Sequence, residues 1–284
     1  MLSSHFLPDK FNYYEYIFDN KLDQLLKLNK IPVKPENKIN KLITSSVDPN
    51  NNIPFPAELD DLARLHFIVR DRKVNTILEF GVGKSTLVFA DALSINKIIY
   101  KGFVLENIRK KNLFEVHSVD NYKKWIKDCK NNIPDNFFSE GIVHIHFANL
   151  FMSEFSGRIC TFYDKLPNIS PDLIYLDGPD QFSPKKEIRG LSTKHQDRFP
   201  MAGDILSFEH FLHPGTLIII DGRTANARFL KANLQRKWSY YYSVDWDQHF
   251  FELLEEPLGK YNKSMIDHCL GDSYYKRLND FNLL

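Results

Sequence analysis

The chain is short of the features that mark a secreted, membrane-spanning or nucleic-acid-binding protein. Its 284 residues include only three cysteines, Cys129, Cys160 and Cys269. An odd number at wide, irregular spacing gives neither a disulfide framework nor a zinc pattern, and reads as reduced thiols of a cytoplasmic protein. Neither sign of charge is in surplus, with 37 basic residues against 36 acidic ones, so no general pull toward nucleic acid or an anionic membrane is expected. No apolar run approaches the length that crosses a bilayer, and Met1 to Lys10 has neither the basic start nor the apolar core of a signal peptide. Repeats and low-complexity tracts are missing as well. With 43% hydrophobic residues the chain can bury a full core, and one α/β domain with an added N-terminal piece is the expected organisation.

The most informative stretch runs from Val74 to Thr86. An apolar, β-branched run ends in Glu79; Gly81 and Gly83 follow with one residue between them, and Ser85-Thr86 open the apolar-periodic segment Leu87 to Leu93. That pattern predicts a strand, a tight turn and a helix. Glycines let the backbone approach a ligand there, and the helix start offers it unpaired N–H groups. A phosphate-cradling loop would need its first glycine at residue 78, which is Leu, although Gly83-Lys84-Ser85 fits its second half. A nicotinamide site would need a glycine where Thr86 stands.

Further acids close later strands. Phe114 to Asp120 alternates apolar and polar residues, and an acid at its end can accept from two vicinal ribose hydroxyls, which makes Asp120 a candidate ligand. The segment Ser94 to Lys111, longer than a usual connection, reads as an insertion. Ile142 to Phe147 predicts an edge strand with His144 and His146 on one face. A metal is one reading of that pair; the polar face of an edge strand is preferred, since no carboxylate or cysteine lies nearby in sequence. Asp172 to Leu176 predicts a central parallel strand ending in Asp177-Gly178-Pro179, followed by a long polar loop from Asp180 to Asp197, and Thr216 to Asp221 a fifth strand. Ser239 to Trp246 and His249 to Glu255 predict a closing antiparallel hairpin.

Glu79-x-Gly81-x-Gly83-x-Ser85-Thr86, followed in order by Asp120, Asp177-Gly178-Pro179 and Asp221-Gly222-Arg223, resembles the class I S-adenosylmethionine-dependent methyltransferases. The resemblance spans roughly Ala57 to Glu255 and implies a doubly wound, mostly parallel seven-stranded sheet. It implies S-adenosylmethionine as cofactor, with Glu79, Gly81, Gly83, Ser85 and Thr86 around its methionine part, Asp120 and Asn121 on the ribose, Asn149 near the adenine and Asp177 between cofactor and acceptor. The implied reaction is methylation of a hydroxyl on a small polar acceptor, such as a sugar or a glycan-linked metabolite, with His195 as base beside Asp177, Asp221 and Arg223; Lys194 and Arg198 are further cations for an anionic acceptor. Some relatives hold magnesium with acids after the fourth and fifth strands. Here Gly222 stands where a second acid is usual, so no residue is assigned to a metal; Arg223 is the expected counter-charge between Asp177 and Asp221, and magnesium is the alternative. The sequence lacks the Asn/Asp-Pro-Pro-Tyr/Phe motif of amino-methylating relatives.

Residues 1–56 form the expected N-terminal helical extension and linker, and 57–284 the cofactor-binding domain. Aromatic and leucine clusters from Phe11 to Leu28 suit short helices that pack on the domain or hold a homodimer, and Pro32 and Pro35 end them. The competing readings are a non-catalytic binding or assembly module of the same fold and a P-loop nucleotide-binding protein.

Overall fold

The computed structural model describes residues 6–8, 10–27 and 58–283. Leu28, Pro32, Pro35 and the expected linker between Asp48 and Pro56 lie outside the described residues. Two short helices come first, α1 (Tyr13–Asp19) and α2 (Leu22–Leu25), then α3 (Leu59–Asp71). The core of the chain follows as β1 (Thr76–Phe80), α4 (Lys84–Asn107), β2 (Glu115–Asp120), α5 (Lys123–Asn132), α6 (Asp135–Ser139) and β3 (Val143–Phe147). A hairpin of β4 (Leu150–Phe155) and β5 (Arg158–Tyr163) precedes β6 (Leu173–Leu176), α7 (Asp204–Phe208), β7 (Leu217–Asp221) and α8 (Thr224–Asn233). β8 (Trp238–Ser243) and β9 (Gln248–Leu253) complete the sheet, and α9 (Gly259–Cys269) and α10 (Asp272–Asn282) follow it.

Seven strands form one sheet in the order β3-β2-β1-β6-β7-β9-β8. β1, β2, β3, β6 and β7 are parallel, while β9 pairs antiparallel with both β7 and β8. The central strands β1 and β6 are buried at every position, which is why they read as mainly apolar runs and not as alternation, with Glu79 the buried acid of β1. Ile77, Tyr175 and Ile219 meet α3 and α4 residues such as Ile68, Val88 and Phe89 on one face. Leu78, Phe80, Ile174 and Ile220 meet Ile205, Ala227 and Leu230 of α7 and α8 on the other.

Three features depart from the sequence reading or extend it. The stretch from Ser94 is no insertion: α4 continues without a break to Asn107. Asn96 is fully buried and ties the helix to α3, donating to the carbonyls of Val69 and Val74 at 3.0 and 3.1 Å and accepting from Arg70. The second is the β4–β5 hairpin, which lies between β3 and β6 and turns at Ser156-Gly157, both at positive φ. The third is the pair α9 and α10, which pack Ile266, Tyr274 and Leu278 against Leu254. Arg72 and Arg277 both meet the fully buried carboxylate of Glu252 at this end of the sheet, and they hold its pKa at about 2 despite burial.

The described N-terminal residues pack on their own chain. Phe6 stacks on Phe250 at 4.5 Å, and the Tyr16 hydroxyl meets His66 at 2.7 Å. Gly102 lies within α4 on its exposed side, with open space where a Cβ would sit. Gly102→Ala should therefore stabilise the protein by about 0.5–1 kcal/mol in urea denaturation, because it removes glycine's entropy cost from a helix interior. No gain would mean that this segment is not helical in solution.

Candidate functional site

Strand order reverses direction between β1 and β6, since the chain winds outward from β1 to β3 and then returns across β1 to β6. In open α/β sheets such a switch point leaves a crevice at the C-terminal strand ends. Gly81 and Gly178 face each other there, backbone to backbone. A Cβ on Gly178 would lie 2.7 Å from the Gly81 nitrogen, and one on Gly81 would lie 3.1 Å from the Gly178 nitrogen. Gly81 also has φ +107°, a conformation that side chains disfavour. Both glycines are thus required by the contact itself.

Glu79 anchors the turn from beneath. Its carboxylate is 1% exposed and accepts three hydroxyl hydrogen bonds, from Ser85 at 2.5 Å, from Thr86 at 2.6 Å and from Ser118 of the neighbouring strand. Burial pushes its pKa up to about 7, although the three hydroxyls pull the other way. Thr86 is fully buried, and its oxygen also accepts from the Gly83 N–H at 3.1 Å. Glu79 and Thr86 therefore do not line a ligand surface, as the sequence reading had them; they hold the turn that would. Ser85 remains partly exposed at the helix start with Gly83 and the exposed Lys84. Leu78, where a P-loop would place its first glycine, is buried in the middle of β1, which excludes that loop.

Asp120 ends β2 at 4% exposure. Burial raises its pKa to about 6, opposed by N–H donors from Tyr122, Val82 and Asn121; the Tyr122 bond is 2.6 Å long. Its carboxylate thus faces both its own strand end and the glycine turn. Nearby, Tyr163 is buried with its ring stacked on Phe80 at 6.0 Å, and its hydroxyl has no hydrogen-bond partner among the described residues. Burial, then Asp120 and Asp204, drive its pKa far up. The Trp125 Nε1, one turn into α5 and packed on Tyr122, is likewise buried and unpartnered. Neither Tyr163 nor Trp125 carries a motif, so sequence reasoning missed both; the same holds for Ser118, visible only once β2 pairs with β1. Asn149 lies just past β3, where its amide donates to Asp164 at 2.8 Å and its oxygen accepts from Lys185 at 2.7 Å, which ties the hairpin base to the long loop.

Asp177 and Asp221 end neighbouring strands, because Leu176 pairs in register with Ile220. Asp177 is half-exposed, with the Arg223 guanidinium 3.9 Å away. Arg223 also donates to the carbonyls of Asp177 and Pro179, so it fastens the end of β6 while supplying the expected positive charge. Asp221 accepts from the Tyr175 hydroxyl and from Gln248, each at 3.2 Å. Among the described residues Asp177 is thus met by an arginine and Asp221 by neutral donors.

The loop from Asp180 to Met201 is laced to the hairpin, with backbone bonds from Met152 and Thr161 to Lys185 and Met201. His195 stands on it with its side chain 54% exposed, and its ring accepts from the Asp197 N–H at 3.1 Å. Arg198 spends its guanidinium on the Ser192 carbonyl. The structure thus ties His195 and Arg198 into the loop and does not join either to Asp177 or Asp221 by any hydrogen bond or ion pair among the described residues.

Strand order, direction and the glycine crevice together settle the architecture. The chain has the class I methyltransferase fold. Among solved structures it is similar to the S-adenosylhomocysteine-bound methyltransferase PaMTH1 of Podospora anserina, at 14% identity over 70% of this chain and 80% of that one, with a TM-score of 0.45. The O-methyltransferase of Bacillus cereus bound to S-adenosylhomocysteine is similar at 12% identity over 89% of this chain and 95% of that one, TM-score 0.40. TomG of Streptomyces achromogenes, an O-methyltransferase of tomaymycin synthesis bound to S-adenosylmethionine, shares 12% identity over 70% and 81%, TM-score 0.38. No protein-family model and no curated protein matches the chain.

Glu79 makes a pH prediction. Its folded pKa of about 7 lies above the ordinary 4.5, so the native state holds a proton that the unfolded chain releases, and this contribution to stability falls as pH rises from 4.5 to 7. The histidines whose pKa burial lowers act oppositely over part of that window, so the comparison is with a variant. Between pH 5 and pH 7.5 the wild type should lose about 2–3 kcal/mol relative to Glu79→Gln in urea denaturation. Parallel curves for the two proteins would show that Glu79 is ionised in the fold.

Proposed function

We propose that the protein is an S-adenosylmethionine-dependent O-methyltransferase acting on a small polar acceptor. The observation that carries this reading is Asp120, a buried carboxylate at the end of β2, set beside the Gly81–Gly178 contact at the sheet's switch point. A carboxylate so placed suits two vicinal ribose hydroxyls, and the unpartnered Tyr163 hydroxyl and Trp125 Nε1 are further polar atoms that a ligand in this crevice would satisfy. The residues present therefore fit the cofactor. Gly81, Gly83 and Ser85 would lie along its methionine part and Asp120 with Asn121 on its ribose, while Glu79 and Thr86 keep the turn in place. When bound, the cofactor supplies an electrophilic methyl group on a sulfonium.

What the chain must add is alignment of an acceptor hydroxyl and a place for its proton. In this reading Asp177 takes that proton. Its carboxylate is half-exposed at the rim, and Arg223 fixes the strand end that carries it. His195 is set aside as base because its ring is bound within an exposed loop. A sugar hydroxyl remains the preferred acceptor, supported by the polar rim of Asp177, Asp180 and Arg223.

Titration calorimetry with S-adenosylmethionine and its demethylated product tests the cofactor. Asp120→Ala should weaken binding by about 1–3 kcal/mol, the cost of two charge-assisted hydrogen bonds. In the same proteins, transfer of labelled methyl groups into the small-molecule fraction of a cell extract should fall about 100-fold or more in Asp177→Asn, with cofactor binding kept, and be unchanged in His195→Ala. No heat with either cofactor form would refute the proposal, and a dead His195→Ala would restore the imidazole as base.

A further inference from the structure

Away from the crevice, the edge of the sheet gathers a cluster of metal-ligating side chains. Alternation along β2 puts Glu115 and His117 on one face, and the register that pairs His117 with His144 and Val119 with His146 brings both histidines of β3 to the same face. The carboxylate that the sequence did not show near the His144–His146 pair is thus supplied by the adjacent strand. Glu115 Oε2 lies 2.9 Å from His117 Nε2 and 3.7 Å from His144 Nε2, and one ligand atom from each of the three residues falls within 4.8 Å of the others. In a tetrahedral site with bonds of about 2.0–2.1 Å, ligand atoms stand about 3.3 Å apart, so small side-chain rotations would close the set.

We propose that Glu115, His117 and His144 bind a divalent first-row ion of the zinc class, with water in the remaining position. Two imidazoles and one carboxylate are a donor set that such ions favour. The surrounding contacts suit the same role. His146 Nε2 lies 3.1 Å from His117 Nδ1, so it can accept that N–H and leave His117 Nε2 with a lone pair for the ion; Asn112 donates to Glu115 Oε2 at 2.8 Å and fixes the carboxylate. Without the ion, His117 Nε2–H points at Glu115 and His144 Nε2 meets the Gly141 carbonyl at 3.0 Å, and both bonds are exchanged on binding. The His144 side chain is 38% exposed, which gives the ion a path from solvent.

The site lies three residues before Asp120 along β2, about 10 Å from the crevice at 3.3 Å per residue, so the ion would clip edge strand β3 to β2 and take no part in methyl transfer. The test uses the full chain, stripped of metal by dialysis against a chelator and then titrated with Zn²⁺, and with Co²⁺ as a spectroscopic probe. One equivalent should bind, Co²⁺ should give the intense visible bands of a four-coordinate site, and Zn²⁺ should raise the melting temperature. His117→Ala should abolish the Co²⁺ bands. His144→Ala, at a partly exposed position that tolerates truncation, should weaken Zn²⁺ binding at least about tenfold while leaving the circular dichroism unchanged. Absence of stoichiometric uptake, or uptake unaltered by His144→Ala, would overturn the proposal.

Discussion

The structure turns on one close approach, that of the Gly81 and Gly178 backbones at the point where the sheet reverses. Gly178 N–H and Asp177 N–H both reach the Phe80 carbonyl, and the Gly81 N–H reaches Val119, so three strand ends are tied together in one place. No side chain fits between them. Everything that could meet a ligand is placed by this knot: the turn into α4, Asp120 on one side and Asp177 with Arg223 on the other. Glu79 completes it from below by gathering Ser85, Thr86 and Ser118 around one buried carboxylate. A carboxylate in that position is costly to ionise, and its raised pKa is the measure of that cost.

The parallel strands were legible because strands buried on both faces must be apolar throughout, and an acid or glycine at their ends stands out against that background. β6 and β7 declare themselves this way, β1 does so with Glu79 near its end, and β2 shows instead an alternation closed by Asp120. The β4–β5 hairpin does not, since its alternation is interrupted by Phe151, Phe155 and Phe162 on the side that ordinarily carries polar residues. α4 was cut short in the reading because the segment from Ser94 mixes lysines with isoleucines, whereas its order comes from Asn96 buried against α3, a contact between distant residues. Glu79 and Thr86 were legible as members of the turn and misread in role. Which side of a turn a carboxylate faces depends on the hydroxyls it finds, and Ser118 lies on another strand.

The acids at the rim illustrate the same limit from the other direction. Register alone makes Asp177 and Asp221 neighbours, and that much follows from two adjacent parallel strands. Their separate fates, Asp177 beside Arg223 and Asp221 under Tyr175 and Gln248, follow from side chains contributed by β6, β9 and the start of α8. The histidine cluster is a stronger case. His144 and His146 are visible as a pair, but the carboxylate and third imidazole that give them a chemistry arrive only through strand pairing.

The central claim is that the switch-point crevice receives S-adenosylmethionine between the glycine turn and Asp120. Hydrogen exchange of the full chain, with and without saturating S-adenosylhomocysteine, tests it most directly. The account predicts added protection concentrated in 81–86 and 120–125. Unchanged exchange in both segments, or protection confined to another part of the chain, would contradict it.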